Sequence, residues 1–309
     1  MKTMKNGAWV IVWLLMVILV QPLGWAAAAP ERGLLLVAHG SSDPGWNEQV
    51  NRIGEQLRRK MAQTDTGGFT RVTVGFLESE PSLATGVRQL EQAGVAEIYA
   101  VPLFLTPSEH LLYDVPTVLG LYRDQRTVEQ LRREQIALVR SRTPITLGPP
   151  LMYGDLLPEV LARQVAGLSR SSAQEGIVYL CHGSGPFQPL WDDLVKTVAE
   201  RVTRQTGIAD WSYAYVQVGQ SFVKTGVPAI EKMAAVKPRV LVVGIYLGLS
   251  AQDLYQRGSR RDPALRDALQ RRIDAGKLVF DNQALLPEGE ALVVDWIVKR
   301  AREYGASLQ

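Results

Sequence analysis

The chain has 309 residues, enough for two domains of about 100–150 residues each, and is 46% hydrophobic and 21% charged. Thirty-four basic against 31 acidic residues leave a formal charge of +3. No basic stripe interleaved with aromatics accompanies that charge, which speaks against a nucleic-acid partner. Cys181 is the single cysteine, so no intramolecular disulfide can form. At the end of an apolar strand it reads as a packed thiol rather than a reactive one.

Lys2 and Lys5 precede an apolar run over residues 8–20, then Gln21-Pro22-Leu23-Gly24-Trp25 and four alanines. A positive start, a short apolar core and small residues at A-x-A spacing make residues 1–29 a secretory signal peptide, cut near Ala28 or Ala29. An uncleaved anchor is the alternative, although a spanning helix needs about 20 apolar residues. The expectation is an exported, periplasmic protein with no stable membrane span after cleavage. Loss of the two lysines lowers the formal charge to +1.

From residue 30 onward strand and helix patterns alternate, which predicts an α/β fold with parallel sheets. Leu34–Ala38 is an apolar strand ending at His39-Gly40-Ser41-Ser42. A helix with Val50, Ile53, Leu57 and Met61 on one face follows from Trp46 to Met61. Val72–Leu77 is the second strand, Leu83–Ala93 a helix stopped by Gly94, and Ile98–Leu105 the third strand. His110 falls in a short loop after it. A helical stretch with Leu121, Val128, Leu131 and Ile136 on one side leads to a fourth strand at Ile145–Leu147. A helix from Pro158 to Leu168 closes the first domain, residues 30–170. Ser169-Arg170-Ser171-Ser172 forms a polar linker.

The second domain, residues 171–309, repeats the order. Strands fall at Ile177–Leu180, Ser212–Val218, Val240–Leu247 and Leu278–Phe280, with helices at Leu190–Val202, Val227–Met233 and Ala291–Ala301. Two of only three histidines, His39 and His182, end the first strand of each half. Their separation of 143 residues nearly equals the 142 between Val101 and Val243 and between Leu105 and Leu247. An internal duplication accounts for this, and a duplicated chain can take the place of a dimer. The chain is accordingly expected to be a monomer or a weak homo-oligomer.

In a doubly wound sheet, ligands bind beyond the carboxyl ends of the strands. A flavodoxin-like order sets the first strand between the second and third, so that His39, Glu78 and His110 converge. Two imidazoles and a carboxylate suit a borderline divalent metal. The corresponding second-half positions, taken at the 142-residue offset, are His182, Gln220 and Gln252. Glutamine is a poor ligand for such ions, so the second half reads as the degenerate wall of a cleft.

The runs Val37-Ala38-His39-Gly40-Ser41, Gly75-Phe76-Leu77-Glu78-Ser79 with Pro81-Ser82-Leu83, and Val101-Pro102-Leu103-Phe104-Leu105 followed by His110 and Asp114-Val115-Pro116 resemble the CbiX-type sirohydrochlorin chelatases. So does Leu147-Gly148-Pro149-Pro150-Leu151. The resemblance covers most of residues 33–168 and, more weakly, 176–301. It implies two tandem chelatase-like domains that insert Co²⁺ or Fe²⁺, as substrate, into sirohydrochlorin or a related tetrapyrrole. Neither ATP nor an organic cofactor is implied. It further implies that His39 and His110 handle the metal, with Glu78 as acidic neighbour; Ser41 and Ser42 beside His39, with the repeat positions His182, Gln220 and Gln252, are the expected lining of the substrate cleft. Ser42 stands where the family often has arginine, and Thr106-Pro107-Ser108-Glu109 replaces a glycine-rich approach to the second histidine.

Other chemistries fit less well. A serine hydrolase needs Gly-x-Ser-x-Gly, and Gly219-Gln220-Ser221-Phe222 continues with Val223. Gly183-Ser184-Gly185 lacks the third glycine and the lysine of a phosphate loop. An exported carrier that binds metal or tetrapyrrole without turnover is the remaining alternative.

Overall fold

The computed structural model describes residues 31–42, 44–286 and 288–308. The expected leader, residues 1–29, lies outside the described residues. Residues 31–309 form one compact unit with two four-stranded parallel sheets. The first sheet contains β1 (Arg32–Ala38), β2 (Phe69–Phe76), β3 (Glu97–Pro102) and β4 (Ile145–Leu147), in the order β2-β1-β3-β4. The second contains β5 (Glu175–Cys181), β6 (Asp210–Tyr215), β7 (Arg239–Ile245) and β8 (Leu278–Phe280), in the order β6-β5-β7-β8. Both are the doubly wound order expected, with the histidine-bearing strand interior in each.

β1 and β5 are buried on both faces, as parallel strands covered by helices must be. Successive side chains of a strand point to opposite faces, and the two faces pack into different cores. Leu34, Leu36 and Ala38, with Ile177, Tyr179 and Cys181, enter a core shared by both sheets. Leu35 and Val37 pack into an outer core on the first half, and Val178 and Leu180 into an outer core on the second. Cys181 is buried and unpaired, and burial pushes its thiol pKa up, as an inert packed cysteine requires.

The shared core also takes in residues of four helices: α1 (Pro44–Met61), α5 (Leu156–Leu168), α6 (Gln188–Thr206) and α10 (Glu290–Ser307). Here the packing crosses the sequence division. Helix α10 closes the second half, yet it covers the first sheet. Tyr304 stacks on Tyr99 at 4.4 Å between ring centroids, and its hydroxyl donates to the Glu97 carboxylate and lies 2.8 Å from Thr146 Oγ1. Helix α5 closes the first half, yet Gln164 Nε2 donates to the Ala284 carbonyl at 2.9 Å. Each half therefore lends its last helix to the other.

The outer layers hold α2 (Leu83–Gln92), α3 (Val115–Val118) and α4 (Gln125–Arg133) on the first half. On the second they hold α7 (Val227–Ala234), α8 (Ala251–Ser259) and α9 (Pro263–Asp274). Helices α8 and α9 fall in a stretch for which no element was expected from the sequence. The long helix expected around Leu121–Ile136 is confined to α4, because Gly120 takes a left-handed φ of 76° and Leu121 is left exposed. Among the described residues no helix is long and apolar enough to cross a membrane.

Candidate metal centre and cleft

His39 follows the last residue of β1 and is held there by its own turn. Its Nδ1 lies 3.0 Å from the Gly40 carbonyl, so Nδ1 carries the proton and Nε2 keeps its lone pair. Gly40 adopts φ 86°, and a Cβ there would lie 2.7 Å from Ser79 Oγ, which makes glycine a requirement at this turn. The Glu78 N–H donates to the His39 carbonyl at 2.9 Å, continuing the β1–β2 ladder by one rung. That bond fixes the carboxylate beside the imidazole, with Glu78 Oε1 3.5 Å from His39 Nε2.

His110 is not in a loop. It opens a wide helical turn, His110–Asp114, closed by the Val115 N–H on the His110 carbonyl. Pro116 follows and has no N–H to continue an ordinary ladder, so an i,i+5 turn is the local solution. The turn sets Asp114 one turn beyond His110, and Asp114 Oδ2 accepts from His110 Nδ1 at 2.7 Å. The hydrogen bond to Asp114 raises the His110 pKa. Burial opposes it, and the charges of Asp114, Glu78 and Glu109 add to the rise. Asp114 was passed over as a site residue from sequence. Its i,i+4 spacing from His110 was the available signal, hidden by the loop assignment.

His39 Nε2 and His110 Nε2 are 3.3 Å apart, with the rings edge to face at 81°, and in the neutral imidazoles, whose Nδ1 atoms carry the proton, both are lone-pair nitrogens. In that neutral form the two acceptors have no hydrogen to share, whereas a cation can sit between them. Bonds of about 2.1 Å from both nitrogens would subtend ~104° at the ion, close to tetrahedral. The ligand atoms of His39, Glu78 and His110 all lie within 4.8 Å of one another, and the three form the only such group among the described residues. Asp114 supplies the outer hydrogen bond that orients the ligand imidazole. The site expected from the sequence is thus assembled as a single cluster.

His110, but not His39 or Glu78, also lines a cavity of about 520 Å³, and His182 is part of the same lining. Ser108 and Glu109 share its wall. Trp191, Tyr215 and Gln217 line the other side. His182 repeats the geometry of His39: Nδ1 lies 2.6 Å from the Gly183 carbonyl, and Gly183 has φ 77°. A Cβ on Gly183 would lie 2.6 Å from the Tyr215 ring.

The remaining expected cleft residues are placed as follows. The Gln217 N–H donates to the His182 carbonyl at 3.2 Å, the counterpart of the Glu78–His39 bond. Gln217, not Gln220, therefore stands at the Glu78 position. Gln220 is exposed and folds onto its own turn, accepting from the Val218 N–H at 2.9 Å. The 142-residue offset fails here because Phe76 and Tyr215, paired with Ala38 and Cys181, are 139 apart. Gln252 sits half-buried in the first turn of α8 and does not line the cavity. Ser41 is locked by Asn47, whose Oδ1 accepts from its N–H at 3.1 Å while Nδ2 donates to its carbonyl at 2.9 Å. Ser42 is exposed. Neither serine is among the residues that line the cavity.

The first half thus carries a histidine–histidine–carboxylate cluster able to hold a metal ion, and His110 of that cluster also lines a cavity to which the second half contributes. The sequence model of the CbiX family matches residues 33–168, the half that carries the cluster. The sirohydrochlorin cobaltochelatase of Saccharolobus solfataricus is 31% identical over 134 residues, 43% of this chain and 92% of that protein. The sirohydrochlorin chelatase SirB from Bacillus subtilis subspecies spizizenii, solved with cobalt, superposes with a TM-score of 0.56 at 16% identity, covering 88% of this chain and 96% of that one. SirB from Bacillus subtilis with Fe³⁺ superposes at 0.59 and 16% identity, covering 89% and 96%. At such identity the structural likeness speaks for the fold of both halves together. The chain belongs to the CbiX family of sirohydrochlorin chelatases.

Proposed function

We propose that this protein inserts a divalent metal, Co²⁺ or Fe²⁺, into sirohydrochlorin or a closely related tetrapyrrole without ATP. The observation that carries the reading is the pair of Nε2 atoms of His39 and His110, 3.3 Å apart, with Glu78 beside them and His110 on the cavity wall. Neutral imidazoles take the hydrated ion from water and hold it by lone pairs. Glu78 offsets its charge. Asp114 keeps the His110 tautomer that presents Nε2 to the ion. The ring nitrogens then replace the protein ligands, and two ring N–H protons are lost. The cleft between the two halves receives the macrocycle, and the energy comes from the ring–metal bonds themselves.

The exported location belongs to this proposal through the leader composition, Lys2 and Lys5 ahead of the apolar run at residues 8–20. Fractionation of cells carrying the full chain tests it. For the activity, the mature protein is mixed with sirohydrochlorin and Co²⁺, Fe²⁺ or Ni²⁺, and the visible spectrum is followed. The expected outcome is turnover well beyond one equivalent, abolished in His110→Ala with the fold intact. Saturation at one equivalent identifies a carrier, and full activity in His110→Ala removes the metal-site assignment.

A further inference from the structure

We propose that His182, which lines the same cavity as His110 of the metal cluster, is the base that takes the ring N–H protons. This rests on the chelatase reading above and adds a residue and a direction to it. On the first wall, His39 Nε2, His110 Nε2 and Glu78 point at one ion position. While the ion is held there, both imidazole lone pairs are occupied and neither can accept a proton. An N–H proton in the ring plane stands in the path of the incoming ion, so it has to leave toward the opposite face.

His182 is the imidazole that the second half contributes to the cavity His110 also lines, and so the one available to receive it. Its Nδ1 donates to the Gly183 carbonyl, as His39 Nδ1 does to Gly40, so Nε2 is again the lone-pair nitrogen. The Tyr246 ring, 6.3 Å away at 62°, packs against the imidazole. What His182 lacks is the rest of a metal site. Gln217 stands where Glu78 stands in the first half, and no second imidazole accompanies it, since His39 and His110 are the only other histidines of the chain. A lone neutral imidazole without anionic partners holds a divalent ion poorly and accepts a proton well. The duplicated halves thus divide the labour: one wall kept the ligands, the other kept a base.

The step balances within the site. A ring N–H bond breaks, its electron pair stays on nitrogen and becomes the donor to the metal, and the proton joins His182 Nε2 to give an imidazolium. His182 is exposed and lines the open cavity, so the proton passes on to water. The second N–H proton leaves by the same route once the imidazole is neutral again.

The test compares the full mature protein with His182→Ala and His182→Gln in Co²⁺ insertion into sirohydrochlorin, with Co²⁺ binding measured separately without the tetrapyrrole. The expected result is a fall in kcat of about 10²-fold or more in both variants. KM for sirohydrochlorin and the affinity for Co²⁺ should stay within about twofold, and added imidazole should restore His182→Ala in part. Wild-type kcat in both variants, or a loss confined to KM and untouched by imidazole, overturns the proposal while leaving the chelatase reading in place. Failure of the wild-type protein to insert any metal removes both.

Discussion

His110 Nδ1 lies 2.7 Å from Asp114 Oδ2 within one wide helical turn, and this bond determines which nitrogen of His110 faces His39. Asp114→Asn keeps a hydrogen-bonding group but loses the charge. Outer partners of metal-binding histidines are typically worth 10–100-fold in affinity or activity, and a loss in that range is expected in Co²⁺ insertion at neutral pH. The pH profile gives the sign. Asp114 raises the His110 pKa, so the wild-type protein should lose metal capture on acidification at a higher pH than an ordinary histidine would. In Asp114→Asn the acid limb should move to lower pH although the plateau falls. The pair itself stabilises the fold below the unfolded histidine pKa and ceases to do so as pH rises through the folded one. An acid limb that does not move in the variant would show that another group controls it.

Glu78→Gln preserves shape and removes the carboxylate from the cluster. Its side chain is 45% exposed, so unfolding by urea should shift by no more than about 0.5 kcal/mol. Co²⁺ affinity, read by titration without tetrapyrrole, should drop at least about tenfold, because an amide oxygen is a far weaker ligand than a carboxylate. Unchanged affinity would place Glu78 outside the coordination sphere.

Glu175 opens β5 fully buried and meets Arg239 across the sheet. Burial pulls its pKa up, but the hydroxyl of Ser169, the N–H of Arg170 and the Arg239 guanidinium outweigh this and hold it below the usual carboxylate range. Removing one partner of such a pair strands the other, so Glu175→Ala should cost about 3–5 kcal/mol in denaturant unfolding. Because the folded pKa is depressed, the pair stabilises above the unfolded glutamate pKa and is lost as pH falls through the folded value. Acid unfolding of the wild type should therefore be steeper than that of Glu175→Ala.

The exchange of α5 and α10 makes each half dependent on the other. A chain of residues 31–170 lacks α10, which covers Tyr99 and the inner face of the first sheet. It is expected to elute as a dimer or larger species, or to unfold, and addition of residues 171–309 in trans should restore a one-to-one complex. A stable, monodisperse monomer of 31–170 would contradict this dependence.

Much of the site was legible before any fold was known. His39, Glu78 and His110 each stand just past an apolar strand, and the doubly wound order by itself brings three such positions to one sheet edge. The unbroken apolar runs of β1 and β5 likewise announced two-sided burial. Asp114 and Gln217 were not legible in the same way. Asp114 depended on recognising a helical turn ahead of Pro116, where local propensity reads as loop. Gln217 was displaced by a shorter connection: Ala38 and Phe76 are 38 apart, whereas Cys181 and Tyr215 are 34 apart. A constant offset cannot see such a deletion, but a backbone hydrogen bond can.

Periodicity says that a helix has an apolar face, not which sheet covers it. The amphipathic pattern of α10 was visible in the sequence, and its place on the first sheet was settled by the Tyr304–Tyr99 stack and the Tyr304 bond to Thr146, contacts between residues more than 150 positions apart. The sequence by itself determined the strands, their order and the ligand types at their ends, because those follow from local side-chain pattern and the handedness of the chain. Only the tertiary structure decided which nitrogen each histidine presents, which glutamine faces the cleft and which half each last helix serves. Those depend on distances between segments that share no local sequence.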